Sequence, residues 1–216
     1  MSDVRATSPG PRVDHLVFAT LDLDRGVEHI EDLLGVRPTP GGRHLGRGTH
    51  NALLALGADV YLEIIAPDPE QPDPSTPRAF GLDRLKEPGL VAWAAGTNDV
   101  DSVRARAEAS AILLGSAQNG SRQRADGVML SWRYTDPATV VADGLIPFFI
   151  DWGKSPHPAL TAPQGARLVA LRAEHPDPAS LQRQLQLLEI QMSVIRGRRP
   201  SLVAVIDGRR GRVELR

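Results

Sequence analysis

The order of apolar and polar positions along the chain predicts strands and helices in a repeated pattern. A short apolar run over residues 13–20 is followed by an acidic step and then by an amphipathic stripe from Val27 to Leu34. The same order appears in residues 90–97 and in a stripe from Val103 to Leu114. Short runs rich in β-branched residues are typical of strands, and apolar residues three and four apart are typical of helices. Each segment therefore begins with a strand that leads into a helix.

The two segments match most closely at the step between strand and helix. Residues 20–24, Thr-Leu-Asp-Leu-Asp, correspond position for position to residues 97–101, Thr-Asn-Asp-Val-Asp. An Asp at such a step accepts hydrogen bonds from the free N–H groups of the first helical turn and faces the positive end of the helix dipole. We therefore expect Asp N-caps here, and we expect Gly35 to end the first helix.

Further apolar runs predict strands after each helix. Gly57-Ala58-Asp59 separates two such runs after the first helix, which indicates a hairpin. A third, fainter copy begins at residues 166–172, passes Asp177 at the place of an N-cap, continues into a helical stripe that ends at Ile190, and has Asp207-Gly208 as its predicted turn. The predicted later strands are 51–56, 60–65, 128–134, 145–150, 191–196, 202–206 and 213–215.

Strand, helix and about three strands, in that order, define an α+β fold of repeated βαβββ modules. The proline-rich stretches 66–77 and 156–163 are predicted to connect the modules, because proline cannot donate a ladder hydrogen bond. The predicted organisation is a flexible N-terminal arm at 1–12, a first module at 13–70, a second at 88–152 and a third, weaker βαβββ-like module at 164–216.

Composition narrows the classes of function. The chain of 216 residues contains no cysteine, which excludes disulfides and Cys-ligated zinc and favours a cytoplasmic location. No apolar stretch is long enough to span a membrane, so no membrane partner is expected. The net charge of −1 gives no reason to expect nucleic acid. The arginine-rich stretch 196–216 lacks interleaved aromatic residues, and we interpret it as solvated strands and turns.

Several motifs resemble one known family. They are residues 14–17, Asp-His-Leu-Val, residues 48–51, Gly-Thr-His-Asn, the run from Tyr61 to Pro69 and the run from Pro147 to Trp152. Together with the βαβββ pattern, they resemble the glyoxalase-like domain family of the vicinal-oxygen-chelate superfamily, which includes glyoxalases, bleomycin-resistance proteins and dioxygenases. The resemblance implies a curved, cup-like mixed sheet with helices on the outside, in which two paired modules hold a divalent metal.

The resemblance also implies metal ligands on the first and last strands of each module. In the first module these positions are His15 and Glu63, a pair of donors that suits Fe, Mn, Zn, Co or Ni. Strand alternation supports this pair, because it leaves Leu16 and Leu62 to pack on the helix side. A carboxylate at a metal can also serve as the base that moves a proton, so Glu63 is the candidate catalytic residue.

The second module departs from the family pattern. The match at the two acidic steps places Ala92 at the position of His15, and the counterpart of Glu63 falls at about Phe148. Neither side chain binds a metal, so the expected site is incomplete in the second module. The candidates to complete it are His44, in a predicted glycine-rich loop at 41–46, and His50, His157 and Glu214.

Polar and aromatic residues near these motifs are the candidate substrate contacts. His50 and Asn51 follow Gly48-Thr49, where capping of a turn is an equally good interpretation. His157 contacts the cup only if its proline-flanked loop folds back over it. The predicted substrate-binding set also includes Asp151 and, with a place in the core as the alternative, Trp132 and Trp152.

The sequence therefore supports two main functions. The first is metal-assisted isomerase, lyase or dioxygenase chemistry on a small oxygenated organic molecule. The alternative is a metal-free protein of the same fold that binds or sequesters a small molecule, which the missing ligands of the second module favour. An assembly role would fit the odd number of modules, which predicts a homodimer formed through an exposed sheet edge of the third module.

Overall fold

The repeating order of strands and helices is present in this computed structural model, which describes residues 10–123 and 127–216. The predicted arm at 1–12 lies almost entirely outside the described residues. The elements of the first half are β1 (Arg12–Ala19), α1 (Leu23–Leu34), β2 (Thr39–His44), β3 (Thr49–Ala55) and β4 (Tyr61–Pro67).

The second half repeats this order, and the last part of the chain repeats it once more. The second half contains β5 (Gly89–Gly96), α2 (Val100–Ala109), β6 (Ala117–Gln123), β7 (Met129–Thr135) and β8 (Phe148–Asp151). The last part contains β9 (Arg167–His175), α3 (Pro178–Leu187), β10 (Ser193–Arg196), β11 (Ser201–Gly208) and β12 (Gly211–Leu215). Short 3₁₀ segments lie at Ala79–Arg84, Ala142–Gly144 and Pro158–Leu160.

Two strands, β2 and β6, carry no apolar pattern that would predict them. β2 includes Gly41 and Gly42, so the prediction of a loop at 41–46 is wrong for its first part. β6 is almost wholly polar, with the sequence Ala-Gln-Asn-Gly-Ser-Arg-Gln. Both are the outer strands of the sheet, where fewer side chains need to be buried and the alternation is correspondingly weak.

The two halves together build one eight-stranded sheet with the order β2-β3-β4-β1-β5-β8-β7-β6. The sheet is mixed, because β1 pairs in parallel with β4, and β5 with β8, whereas the other neighbours are antiparallel. It curves until the edge strands β2 and β6 come into contact, which nearly closes it. The helices pack on the convex side. The predicted α+β fold with a cup-like mixed sheet is therefore confirmed.

The halves meet along β1 and β5 in a register that is symmetric about one pair of residues. Leu16 lies opposite Trp93, and on either side His15 lies opposite Ala94 and Val17 opposite Ala92. A rotation that exchanges the two halves therefore exchanges His15 with Ala92 and Val17 with Ala94. The position-for-position match seen in the sequence therefore corresponds to an approximate two-fold relation between the halves.

The acidic steps have the same hydrogen bonds in both halves. The backbone N–H of Thr20 donates to Ile65 O, and that of Thr97 donates to Ile150 O, each at 2.9 Å. Each helix is then capped by an Asp side chain that accepts a hydrogen bond from the backbone N–H three residues further along. Asp22 caps α1, Asp99 caps α2 and Asp177 caps α3. Gly35 ends α1 with φ of 71°, a left-handed conformation that favours glycine. The predicted caps and the predicted helix end are confirmed.

The last part of the chain forms a separate four-stranded sheet with the order β10-β9-β11-β12. In the two halves, the first strand pairs with the last strand of its own module, whereas β9 pairs with β10 and β11. The order of elements is thus the same, and the pairing of strands differs. This sheet packs mainly on the first half, because β11 and β12 contact α1, and β11 also contacts β5 of the second half.

A close backbone contact joins this small sheet to α1. Arg209 N–H donates to Leu34 O at 2.7 Å, and a Cβ on Gly208 would lie 2.6 Å from that same oxygen. The prediction of a turn at Asp207-Gly208 is wrong by two residues, since both belong to β11 and the turn is Arg209-Arg210. The glycine is needed for the close approach to α1 and not for the turn.

The main apolar core lies between the convex side of the large sheet, the helices and the small sheet. Leu16 and Leu62 of the large sheet, Ile30 of α1, Leu185 of α3 and Ile206 of β11 all belong to it and are fully buried. Strand alternation directs the neighbouring side chains into the cup, where the apolar clusters are smaller. The convex side is therefore covered by apolar packing, and the concave side can carry polar groups.

Within the part of the chain that the structure describes, no helix has both the length and the apolar character needed to cross a membrane.

The approach of Gly208 to α1 makes a stability prediction. Gly208→Ala places a methyl group against Leu34 O, and such overpacking typically costs about 1–3 kcal/mol. We expect a loss of this size in the free energy of unfolding, measured by urea denaturation. Gly96→Ala is the matched control, because the nearest atom to its new Cβ is 3.4 Å away. Equal stability of both variants would show that the small sheet is not held at this point.

Candidate functional site

The concave face of the large sheet encloses a cavity of about 1010 Å³. Its buried polar and aromatic lining residues form what we call the floor, and its exposed lining residues form the mouth. Both halves of the chain contribute to each. The floor consists of His15, Thr49, Asn51, Tyr61, Glu63 and Arg122, and the mouth includes Leu45, Arg47, Arg84 and Val140.

A β-bulge in β1 places two polar residues side by side at the floor. Val13 pairs with Ala95 and His15 pairs with Ala94, so Asp14 is an extra residue without a partner on β5. Successive residues of a regular strand point to opposite faces, and the bulge relaxes this rule. Asp14 and His15 therefore lie together, and Asp14 Oδ1 accepts a hydrogen bond from His15 Nδ1 at 2.7 Å.

The Asp14 carboxylate is a junction for three donors. Besides His15, the Trp152 Nε1–H donates to its Oδ2 at 3.0 Å, and His157 Nε2 donates to the same oxygen at 3.2 Å. Burial alone would raise the pKa of Asp14, but the hydrogen bonds from His15 and His157, together with their electrostatic attraction, lower the pKa to about 2. Asp14 is therefore an anion that fixes the orientation of three rings.

The bond from His15 Nδ1 leaves its second ring nitrogen directed at Glu63. His15 Nε2 lies 3.9 Å from Glu63 Oε2, and both side chains are buried. The His15 ring stacks on Tyr61, with ring centroids 4.5 Å apart, and Phe148 packs edge-on at 5.3 Å. Because a carboxylate accepts the Nδ1 proton, the Nε2 of the neutral ring carries a lone pair that faces the cavity.

A chain of side chains from the opposite edge of the sheet orients Glu63. Arg122 on β6 donates to Asn51 Oδ1 at 3.0 Å, and Asn51 Nδ2 donates to Glu63 Oε1 at 2.5 Å. Arg122 thus fixes which way the amide of Asn51 points. Gly41 makes room for this bond, because a Cβ there would lie 2.4 Å from Asn51 Oδ1 and 2.5 Å from Arg122 Nη1.

His44, at the end of β2, faces Glu63 from another side. Its Nδ1 is bonded to Thr49 Oγ1 at 2.9 Å, and its Nε2 lies 3.4 Å from Asn51 Nδ2 and 3.8 Å from Glu63 Oε1. The amide donates, so Nε2 accepts and the ring is neutral. Burial, the largest influence, lowers the pKa of His44 and so favours this neutral form.

The floor offers two donor atoms that fit a divalent metal. His15 Nε2 and Glu63 Oε2 lie 3.9 Å apart, whereas two ligands at a tetrahedral angle on zinc, with bonds of about 2 Å, lie about 3.3 Å apart, so the two side chains would have to move closer together to hold an ion. The bond from Asp14 to His15 is of the kind that orients metal-binding histidines. Across the described ranges, however, no three His, Cys, Asp or Glu side chains are grouped closely enough to hold an ion.

The second half supplies apolar groups at the corresponding positions. Glu63 pairs with Val17 on β1, and Phe148 pairs with Ala94 on β5, which are equivalent places in the two halves. Ala92 takes the place of His15. The assignment made from the acidic steps therefore agrees with the strand register, and the polar floor belongs mainly to the first half.

Of the remaining predicted site residues, some line the cavity and some do not. Asn51, Trp132 and Trp152 line it, whereas His50 points away from the floor into a second depression that includes Asp68. Asp151 is absent from the described lining and accepts a bond from Gly153 N–H. The loop that carries His157 does fold back. This histidine contacts Asp14 and Tyr61, but it is not among the described lining residues of the cavity.

The comparisons with known proteins agree with this fold. A family model described as a glyoxalase-like domain matches residues 13–188, and the chain belongs to that family of the vicinal-oxygen-chelate superfamily. The resemblance noted in the sequence is thereby confirmed. No match was found among curated proteins.

Solved structures are similar at low sequence identity. A hypothetical protein from Staphylococcus aureus has 14% identity and a TM-score of 0.60, with 94% of this chain and 84% of that chain covered. Methylmalonyl-CoA epimerase from Mycobacterium tuberculosis has 23% identity and a TM-score of 0.45, with 71% and 95% covered. A Streptomyces coelicolor methylmalonyl-CoA epimerase in complex with 2-nitronate-propionyl-CoA has 21% identity and a TM-score of 0.46, with 70% and 100% covered. The first of these similarities supports the fold alone.

The junction at Asp14 makes a second stability prediction. Asp14→Ala leaves one buried and two partly buried ring N–H donors without their acceptor, and we expect a loss of about 2–4 kcal/mol in the free energy of unfolding. Asp14→Asn keeps an oxygen acceptor and should lose less. Asp59→Ala, in the exposed β3–β4 turn, removes the same charge and should change stability by no more than about 0.5 kcal/mol. Chemical denaturation of the three variants measures this, and similar values for Asp14→Ala and Asp59→Ala would contradict the role of Asp14.

Proposed function

We propose that this protein binds a small oxygenated organic molecule in the cup and acts on it with a divalent metal held by His15 and Glu63. The observation that carries the proposal is the arrangement of these two buried side chains. The Nε2 lone pair of His15 and the carboxylate of Glu63 face each other across 3.9 Å at the floor of a large cavity. A cation between these two groups, a metal ion in this proposal, would attract both of them.

The charge of the floor supports a bound cation. Asp14 and Glu63 are buried acidic groups, and Arg122 is the one buried basic side chain of the described floor. Burial lowers the pKa of His44, and the neutral form of that ring adds no positive charge. Burying an uncompensated anion is costly, so a divalent metal would stabilise the folded site as well as serve the reaction.

The residues around the metal suggest a proton-transfer reaction of the isomerase or lyase type. A bound metal would act as a Lewis acid that polarises a substrate oxygen. Asn51 holds Oε1 of Glu63, so Oε2 is the oxygen on the side of His15 Nε2; it would leave the metal to take a proton from the substrate carbon next to the polarised oxygen. Arg122 keeps Asn51 in the donating orientation. Dioxygenase chemistry would use the same two ligands.

A second candidate is a metal-free binding protein, and one observation favours it. Phe148 and Ala92 stand where the second half would supply ligands, and the Phe148 ring packs against His15. A ligand could then bind by apolar contact, with His15 and Asn51 as hydrogen-bond partners. The homodimer, the cytoplasmic location and the module boundaries inferred from the sequence stay predictions.

Metal content tests the leading proposal directly. Elemental mass spectrometry of the untagged protein should find about one Fe, Mn, Zn, Co or Ni ion per chain. The double variant His15→Ala/Glu63→Gln should hold roughly tenfold less, because both proposed ligands are removed. His29→Ala/Glu28→Gln changes the same residue types on the exposed side of α1 and should keep the metal.

The opposite result decides for the second candidate. Protein that stays free of metal after incubation with each of these ions would refute the metal-assisted function. The metal-free binding protein would then stand, and its ligand would be recognised by thermal stabilisation that does not depend on added metal.

A further inference from the structure

The aromatic residues of this protein are concentrated in the cup. Aromatic residues make up only 4% of the sequence, and six of the nine line the cavity. The other three, Phe18, Trp93 and Phe149, belong to the main core. The six are Tyr61, Phe80, Trp132, Tyr134, Phe148 and Trp152. A cavity that only needed apolar lining would not require most of the aromatic rings of an aromatic-poor chain.

The rings of the second half form a continuous wall. Trp132 lies between Trp152, with centroids 5.2 Å apart, and Tyr134, with centroids 6.3 Å apart. Gly120 on β6 lies directly against the Trp132 ring, because a Cβ there would come within 2.3 Å of it. One side of the indole is thus packed against bare backbone. The ring also lines the cavity, where it offers a flat surface for a planar group.

A positive charge lies at the end of this wall. Arg47, exposed at the mouth, donates to Gln118 Oε1 at 2.9 Å and lies 3.4 Å from the Tyr134 hydroxyl. Within residues 10–123 and 127–216 it forms no ion pair with a carboxylate. Arg78 differs, since Asp73 and Asp83 neutralise it. The other lining carboxylate near Tyr134, that of Asp136, accepts a bond from Ala138 N–H. Arg47 therefore keeps its charge for a ligand.

We propose that the ligand of the cup is a planar aromatic molecule that carries a carboxylate. Its ring stacks on Trp132, with the tilted ring of Trp152 at its side, and its carboxylate pairs with Arg47 at the mouth. This inference rests on the proposed function, because it assigns the ligand of the same cup, whose reacting oxygen, distinct from the carboxylate, faces Glu63. Arg84, a second exposed arginine of the mouth, has no ion pair with any described carboxylate and adds to the attraction for an anion.

Three probes separate the ring from the charge. 2-Naphthoate has both features, 2-naphthamide is neutral with the same ring, and cyclohexanecarboxylate has the charge without the aromatic ring. Isothermal titration of the full chain should show 2-naphthoate binding roughly tenfold or more tightly than either of the others. Equal affinity for 2-naphthoate and 2-naphthamide would overturn the assignment of a carboxylate to the ligand.

Variants assign the two features to residues. Arg47→Gln should weaken 2-naphthoate roughly tenfold and leave 2-naphthamide unchanged. Trp132→Leu should weaken both naphthalene probes by roughly three- to tenfold. The control is Arg133→Gln, which removes the same charge from β7 at an exposed residue paired with Asp101, outside the cavity lining. Equal effects of Arg47→Gln and Arg133→Gln would show that the preference depends only on the overall charge of the protein. That result would refute an anion site at Arg47.

Metal content measured on the same samples keeps this inference separate from the proposed function. Bound metal without a preference for 2-naphthoate would overturn the ligand class and leave the metal-assisted function intact. A clear preference for 2-naphthoate in metal-free protein would refute the metal and support the ligand class. The absence of binding by all three probes would also overturn the ligand class.

Discussion

The antiparallel pairing of β1 with β5 is the interaction on which the rest of this structure depends. It joins the two halves into one sheet, and its symmetry about Leu16 and Trp93 fixes which residues of each half face the cup. The same ladder contains the bulge at Asp14, which brings that carboxylate beside His15. A regular ladder would direct Asp14 and His15 to opposite faces. The joining of the two halves and the polarity of the site thus both depend on one pair of strands.

The two halves have kept the same backbone while their chemistry has separated. Each half repeats the Thr-to-carbonyl bond and the Asp cap at the start of its helix. On the inner face the first half carries His15 and Glu63, whereas the second carries Ala92 and Phe148 at the matching places. The result is an asymmetric cup, with a polar floor on one side and an aromatic wall on the other. Such a division suits a ligand with one polar and one planar end.

The sequence predicts well those features that depend on local order. Strands with alternating apolar residues, the three Asp caps and the positions of His15 and Glu63 follow from short-range patterns and from the resemblance to a family. The polar edge strands β2 and β6 have no such pattern. The bonds of Asn51 to Arg122 and of Asp14 to His157 join residues 71 and 143 positions apart, and no local signal predicts such contacts. Asp14 stands in a recognisable motif, but its role depends on a bulge that the motif does not encode.

The seam between β2 and β6 gives the cup an adjustable side. These strands touch without being hydrogen-bonded neighbours in the sheet, and side-chain bonds such as that from Arg122 to Asn51 span the gap. A few side-chain hydrogen bonds break at less cost than a ladder of backbone hydrogen bonds, so the cup would widen most easily along the seam between β2 and β6. Widening would also release the amide that holds Glu63 Oε1. The width of the cup and the freedom of the Glu63 carboxylate are therefore mechanically coupled. A ligand bulky enough to separate β2 from β6 would change the hydrogen bonding of Glu63 by its size alone.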